Sequence, residues 1–397
     1  MPSQNHWLLP EGIEQILPDE TQRLEQLRRQ LLDLFALWGY QQVIPPFIDF
    51  IESLLTATGH ELDIQTFKLT DQISGRQLGI RADMTPQVAR IDAHHLACEQ
   101  PNRLCYLGTV LRTQGDHLAK SRSLMQIGAE LYGHAGIESD LEVLQLMLEM
   151  LAVAGLKEVH IDLGHVAIFR TLVVRAGLSK SLEVEIFELL QRKARPELEQ
   201  LLAKIELNDS DRQMFAALID LNGHSGVLED AKEQLAAAGD AVMAAIDDLD
   251  KIARQLRICY PALIINFDLA ELRGYHYQTG TVFAAYVPGY GREIARGGRY
   301  DEFGRLFGRA RPATGFSADL KVVAMLAEPF EATENSAIFS PLSDESALAE
   351  KVRDLRASGR VVIQQLPGQN GDAKAMNCRY QLVKQEKQWT IMLLSEL

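Results

Sequence analysis

Long apolar runs are missing from this chain. No stretch approaches the roughly 20 residues a membrane-spanning helix needs, so no membrane segment is expected. The N-terminus, MPSQNHWLLPEG, has no basic segment followed by an apolar core, so no signal peptide is expected and the cytoplasm is the expected location. Cysteine is scarce: Cys98, Cys105, Cys259 and Cys378 form no CxxC pair, and their spacings suit no zinc site. Reduced thiols and no bound metal are the expectation. Positive charge is in deficit, with 40 Lys and Arg against 54 Asp and Glu, a formal net charge of −14. Nucleic-acid binding takes most of its affinity from Lys and Arg that neutralise phosphates, so this balance argues against such a partner. Internal repeats and low-complexity tracts are also absent. What remains is an ordinary globular balance, 47% hydrophobic and 24% charged, over a length of 397 residues that suits two or three domains.

The periodicity gives a coarse plan. Asp19 and Gln22 resemble an N-cap and its partner, and Leu24, Leu27, Leu31, Leu34 and Phe35 then recur at helical spacing up to Gly39. A short β-like run, Gln41 to Ile44, ends at Pro45-Pro46. Residues 66–81 read as a hairpin turning at Ser74-Gly75, and Thr85-Pro86 as an N-cap with proline at the first helical position. Residues 103–113 and 123–132 read as strands joined by the polar loop QGDHLAKSR. Ser139 with Glu142 reads as a capping box before the apolar helix LEVLQLMLEMLAVAG, whose stripe is best read as core. Residues from about 167 to 258 are almost wholly helical and look inserted between two β-rich blocks. β-pattern returns in ALIINFDLAELRGYHYQTGTVFAAYV, followed by the turn GGRYDEFG and a strand and helix through GFSADLKVVAML. A polar stretch at 331–335 reads as a linker, and residues 336–397 as a small α/β domain of strand, helix, strand and hairpin. The expected fold class is α+β: a mixed, mainly antiparallel sheet flanked by helices across residues 1–330, with the helical insertion, and the C-terminal domain.

Three segments together resemble the signature of class II aminoacyl-tRNA synthetases. GYQQVIPPFIDFIESLL resembles motif 1, the dimerisation element. RLCYLGTVLRTQ followed by SRSLMQIGAELYG resembles motif 2, and GGRYDEFGRLFGRARPATGFSADLK resembles motif 3. Two more segments resemble the histidyl members: RADMTPQVAR is similar to their RPEGT-type loop, and ELRGYHYQTGTVF to their second histidine signature. The five occur in the family's order from about residue 10 to 325, and the helical insertion falls where the family carries one.

The resemblance implies an amino-acid pocket. Asp83 and Thr85 fall in the RPEGT-type loop, with Asp in place of Glu. Arg112 falls on the first motif 2 strand and Gln126 and Glu130 on the second, four apart and so on one face. Arg273 and Tyr277 fall in the second histidine signature, and Tyr300 in the GGRY turn. Arginine holds a carboxylate through two parallel hydrogen bonds, and buried charge at this density is costly unless paired. The set therefore makes best sense around a charged amino acid; ordinary ion pairs inherited with the fold are the plainer alternative. The ATP half departs from the family. Val322 stands at the motif 3 arginine position, Asp319 at the glycine and Lys321 at the acidic position of G-L-E-R. Gln114 replaces the motif 2 glutamate, and Arg122-Ser123-Leu124 replaces RQF. Lys321 is a poor substitute for the arginine, because one residue on a helix turns a side chain by about 100°. The C-terminal segment is also shorter than a synthetase anticodon-binding domain and shows no basic excess.

Retained pocket, altered ATP half and shortened C-terminus match the synthetase paralogues that serve as regulatory subunits of short-form ATP phosphoribosyltransferase, at the first step of histidine biosynthesis. That resemblance implies a non-catalytic chain with no cofactor and no tRNA partner. It implies L-histidine as effector, and a homodimer assembled with a separate catalytic subunit into a hetero-oligomer, a hetero-octamer. The competing readings are a divergent active histidyl-tRNA synthetase and a synthetase-like scaffold for another ligand. His94-His95 has no ligand-spaced partner and reads as packing, the glycines of GRARPATG read as a turn, and His276 has no assigned role.

Overall fold

A computed structural model describes residues 7–55, 59–115, 121–271, 275, 277–327 and 336–396. The chain divides into two compact units, Met1–Ala327 and Glu328–Leu397. The expected linker at 331–335 lies outside the described residues.

The first unit opens with helix α1 (Pro18–Leu37). Leu24, Leu27, Leu31 and Phe35 are its buried face, and Phe35 meets Phe316 edge-on at 6.1 Å. Each such fully buried apolar side chain contributes roughly 1.5–3 kcal/mol. The expected cap is displaced: Leu17 precedes the helix with no side-chain cap bond, Pro18 occupies the first turn, and Asp19 lies inside it. Proline suits that place because its missing N–H would have no helical partner. Next come β1 (Gln41–Gln42), β2 (Ile48–Phe50), α2 (Ile51–Leu55), α3 (Gly59–Gln65), β3 (Phe67–Thr70) and β4 (Gln77–Ile80). β2, β4 and β3 form a small antiparallel sheet, and the expected hairpin is β3–β4. Its turn is held by the Asp71 carboxylate, which accepts from Ile73 N, Ser74 N and Ser74 Oγ, with Gly75 at φ +70°.

Helix α4 (Thr85–Arg90) runs into a π-helical turn, Ile91–Leu96. β5 (Asn102–Leu111) and β6 (Ser123–Tyr132) pair along their full length, as the sequence predicts. Helix α5 (Ile137–Val153) buries its apolar stripe, but not behind a Ser139 cap. Ser139 lies buried in the first turn, bonded to Gly136 O and receiving Arg299, and Glu142 instead holds Arg103 through two bonds. β7 (His160–His165) leads into α6 (Val166–Arg175), α7 (Lys180–Gln191), α8 (Arg195–Lys204), α9 (Asp209–Ala217), the two-residue β8 (Asn222–Gly223), α10 (Gly226–Gln234) and α11 (Asp240–Cys259). This helical run adds β8 to the main sheet, so it is stitched to the body through backbone. β9 (Ile264–Asp268), β10 (Thr281–Tyr286), β11 (Ala295–Arg299), β12 (Ala313–Asp319) and α12 (Leu320–Leu326) complete the unit. The main sheet has the order β1-β5-β6-β12-β11-β10-β7-β9-β8 and is antiparallel except at β1–β5 and β7–β9.

Two buried arginines lock this sheet. Arg299 of the GGRY turn forms a salt bridge with Asp140 and donates to the carbonyls of His134 and Gly136. Arg311 of GRARPATG pairs with Asp92 and donates to Cys98 O and Gln100 O, so this arginine of the motif is taken up inside the protein. Among the described residues no group of His, Cys, Asp and Glu could hold a metal, and no helix is long and apolar enough to cross a membrane.

The second unit runs β13 (Ile338–Ser340), α13 (Ser346–Ala357), β14 (Val362–Gln364), β15 (Tyr380–Gln385) and β16 (Gln388–Leu393). That is the strand, helix, strand, hairpin order the sequence suggests. β13 is central and parallel to β14 and β15. Ile338, Leu348, Val352, Leu355, Val362 and Leu382 form its core.

Candidate functional site

The floor of the site is three strands. On β6, Gln126, Gly128 and Glu130 share one face. Their partners across β5 are Gly108, Tyr106 and Leu104, and across β12 Asp319, Ser317 and Gly315. Directly opposed residues in an antiparallel pair point to the same side, so Gln126, Tyr106 and Glu130 each have a glycine beside them. A Cβ on Gly315 would overlap Glu130 Oε2, and one on Gly128 would lie 2.5 Å from the Tyr106 hydroxyl.

Glu130 is 1% exposed and surrounded by hydroxyls. Its Oε1 accepts from Tyr106 at 2.9 Å and Thr85 at 3.1 Å; its Oε2 is 2.5 Å from the Tyr300 hydroxyl. Tyr300 also reaches the Tyr132 hydroxyl at 3.3 Å. Among the described residues Glu130 forms no salt bridge. Burial disfavours its charged form and pushes its pKa up to about 8, against the hydroxyl hydrogen bonds that favour ionisation. Burial also raises the phenols of Tyr106, Tyr132 and Tyr300.

Four residues along the strand, Gln126 bridges to the loop before α4. Its Oε1 accepts from Met84 N at 2.9 Å, and its Nε2 donates to Asp83 Oδ1 at 2.8 Å. Asp83 Oδ1 also accepts from Thr85 N, so Asp83 turns the loop into α4 and Met84, not Thr85, holds the N-cap position. Thr85 is thereby left to point its hydroxyl at Glu130.

Gln126 also lines an open cleft with Arg112, Arg292, Glu293, Arg296, Asp319 and Val322. Arg112 follows β5 and donates from Nε to Ala82 O at 3.4 Å. Asp319 accepts from Met125 N and Lys321 N, and burial raises its pKa. Lys321 turns away from the cleft: its ammonium meets Glu14 at 2.7 Å and Ser123 O at 2.5 Å. Arg122 is likewise engaged, donating to Arg112 O and Glu11 O with its guanidinium over the Phe67 ring. Gln114 is exposed.

Of the residues the sequence singled out, Thr85, Glu130 and Tyr300 meet directly. Asp83 and Gln126 meet beside them, and Arg112 stands at the cleft end. Tyr277 is 40% exposed; its ring is edge-on to Phe303, which is edge-on to Tyr300. Arg273 and His276 lie outside the described residues. Tyr106, Tyr132, Gly128 and Gly315 were missed, although alternation along β5 and β6 puts Tyr106 and Tyr132 on the Glu130 face. Arg292 and Arg296 of the cleft were missed too, because no signature contains them.

Fold and floor define a body of the histidyl-tRNA synthetase type. The histidyl-tRNA synthetase family model matches residues 12–323. A histidyl-tRNA synthetase from a Nostoc species shares the fold at a TM-score of 0.78 and 19% identity, over 95% of this chain and 91% of that one. A crystal structure titled ATP phosphoribosyltransferase regulatory subunit/histidyl-tRNA synthetase, from Bacillus halodurans, aligns at a TM-score of 0.83 and 27% identity, over 95% of this chain and 97% of that one. Residues 335–392 match the model of the ATP phosphoribosyltransferase subunit HisZ C-terminal domain. The ATP phosphoribosyltransferase regulatory subunit of Methylococcus capsulatus is 58% identical over 98% of this chain and 97% of its own length. That of Pseudomonas syringae pv. syringae is 51% identical over 100% of both. The chain belongs to the family of ATP phosphoribosyltransferase regulatory subunits.

Proposed function

We propose that this chain is a non-catalytic subunit that binds L-histidine and imposes feedback inhibition on a separate catalytic subunit of short-form ATP phosphoribosyltransferase, at the first step of histidine biosynthesis in the cytoplasm. Asp83, Thr85, Arg112, Gln126, Glu130, Arg273, Tyr277 and Tyr300 form the effector site. Asp83 and Gln126 suit the ligand's ammonium, Glu130 with its hydroxyls the imidazole, and the arginines the carboxylate. The chain works as a homodimer within a hetero-octamer, does not aminoacylate and does not bind tRNA. The observation that carries this reading is the contrast along one strand face. The Asp83–Gln126 bridge and the Glu130 hydroxyl ring are complete, whereas the motif 3 arginine position is Val322 on the cleft wall.

Linkage supplies the mechanism. If histidine favours one global state of the complex, the catalytic subunit feels the same coupling free energy. Inhibition of about 10- to 100-fold needs roughly 1.4–2.8 kcal/mol of differential binding. The test is reconstitution with a short-form catalytic subunit and assay with and without histidine. Stimulation by the chain that histidine reverses is the expected result; activity indifferent to histidine overturns the sensing role. A second reading, a divergent active synthetase, draws on Arg112, Arg292 and Arg296 in the cleft, where they could meet phosphates. Histidine-dependent ATP–pyrophosphate exchange separates the two, and its absence is expected.

A further inference from the structure

We propose that the site holds its ligand's ring as an imidazolium with Glu130 as counter-ion, and that Glu130 itself supplies the proton when the free ligand arrives with a neutral ring. The inference rests on the reading of the pocket as a histidine site and adds the protonation state in which histidine is recognised.

The argument starts from a proton count. Tyr300 has one hydroxyl proton and two close oxygens, Glu130 Oε2 at 2.5 Å and Tyr132 at 3.3 Å. It cannot donate to both. When Glu130 is a carboxylic acid, Oε2–H donates to Tyr300 and Tyr300 donates to Tyr132. When Glu130 is a carboxylate, Tyr132 donates to Tyr300 and Tyr300 donates to Oε2. A hydroxyl is both donor and acceptor, so the Glu130–Tyr300 and Tyr300–Tyr132 contacts stay filled in either direction with no heavy atom displaced. Tyr106 and Thr85 both reach Oε1 in either state, and their hydroxyls also lie 3.1 Å apart, a contact in which either can donate. The carboxyl is therefore built to lose a proton at fixed geometry.

The surroundings set the direction. From the loop before α4 come Asp83 and Thr85, from β5 Tyr106, from β6 Tyr132, from the turn after β11 Tyr300, and from β12 only Gly315, which has no side chain. Farther off, Tyr40 feels the charge of Glu130, and Tyr132 feels the charges of Asp92 and Arg311. Asp83 repels a charge on Glu130, and burial opposes it. Without a ligand the acid form is favoured at neutral pH. A free imidazole titrates near 6.5, about 1.5 units below the Glu130 value of about 8. An opposite charge within about 4–6 Å lowers a carboxyl by roughly 1–3 units, and it raises the ring in the same way. The two shifts are one interaction counted from either side, and it closes the gap of about 1.5 units in the upper part of that range. In the transfer the Glu130 O–H bond breaks, an N–H bond forms on the ring, and total charge is conserved.

The proton balance of binding follows from these values. Below the free-imidazole range both partners arrive protonated and binding releases a proton; between the ring's ordinary value and that of Glu130 the release falls away. Titration calorimetry in buffers of different ionisation heat reads this directly. L-histidine labelled with ¹⁵N in its ring, bound to the assembled complex at pH 8, reads the ring itself. An imidazolium spectrum is expected where the free ligand is neutral, and Glu130→Gln should return the bound ring to the neutral form. The analogue triazolylalanine, too weak a base to take the proton, should bind at least 10-fold more weakly than histidine. A saturated site holding a neutral ring at pH 8 overturns the inference and leaves histidine binding intact. No bound ligand at any pH overturns the histidine reading itself. The wild-type spectrum decides the matter even if Glu130→Gln does not fold.

Discussion

Two ends of one strand face differ in kind. Around Glu130 the floor is closed, and its polar groups are neutral hydroxyls whose bonds are all made inside the protein. Around Asp319 and Val322, beyond Gln126, the floor opens into a cleft where arginines and carboxylates face solvent. The closed end can discriminate, because a buried group left unpaired costs about 1–3 kcal/mol. The open end can only attract, because exposed charge pairs are worth about 0–1 kcal/mol. A synthetase needs both ends, one for the amino acid and one to steady phosphate charge. A subunit that only senses the amino acid needs the first.

The comparison breaks most decisively at Gly315. Gly315→Val would place a side chain on the Glu130 carboxyl, and histidine inhibition of the reconstituted complex should weaken by more than about 100-fold, equivalent to roughly 2.8 kcal/mol. Inhibition that survives it would show that the ligand does not use this end. Glu130→Gln keeps the shape and removes the charge; histidine affinity measured by calorimetry should fall by about 10- to 100-fold. Val322→Ala, at the open end, should change that affinity by less than about twofold, within the ±0.5 kcal/mol usual for such sites. An effect as large as that of Glu130→Gln would erase the distinction between the ends.

Thermal melts across pH sharpen the same comparison. Glu130 has a folded pKa of about 8, raised from 4.5. Its contribution is full below pH 4.5 and is lost as pH rises through 8, so the melting temperature should fall from pH 6 to 9 and Glu130→Gln should flatten the fall. His165 behaves oppositely. Burial presses its pKa down to about 4, so its contribution is present above 6.5 and lost as pH falls towards 4. Lys321→Ala removes an ion pair with the exposed Glu14 and should cost about 1 kcal/mol or less in denaturant unfolding.

Much of this was legible in the chain itself. Leucines at helical spacing give α1 and α5 because burying one face fixes the period. The β5–β6 pair follows from two apolar runs around a polar loop, and the five signature segments point to the fold and to Asp83, Thr85, Gln126 and Glu130. The capping assignments at Asp19, Thr85 and Ser139 did not hold. A cap depends on where neighbouring backbone stops being helical, and Asp83, Pro18 and Arg299 decide that here.

The sequence alone determined which residue types line the strand face and that the motif 3 arginine is a valine, since identity at a position needs no folding to be read. Only the tertiary structure decided that Gly315 and Gly128 open the space for Glu130 and Tyr106, and that Tyr132 and Tyr300 join one hydrogen-bonded chain. It also showed that Arg292 and Arg296 reach the cleft. Those relations arise from register between strands far apart in sequence, Gly315 opposite Glu130 and Asp319 opposite Gln126. Pairing across such separations is set by packing of the whole sheet, which no local pattern encodes.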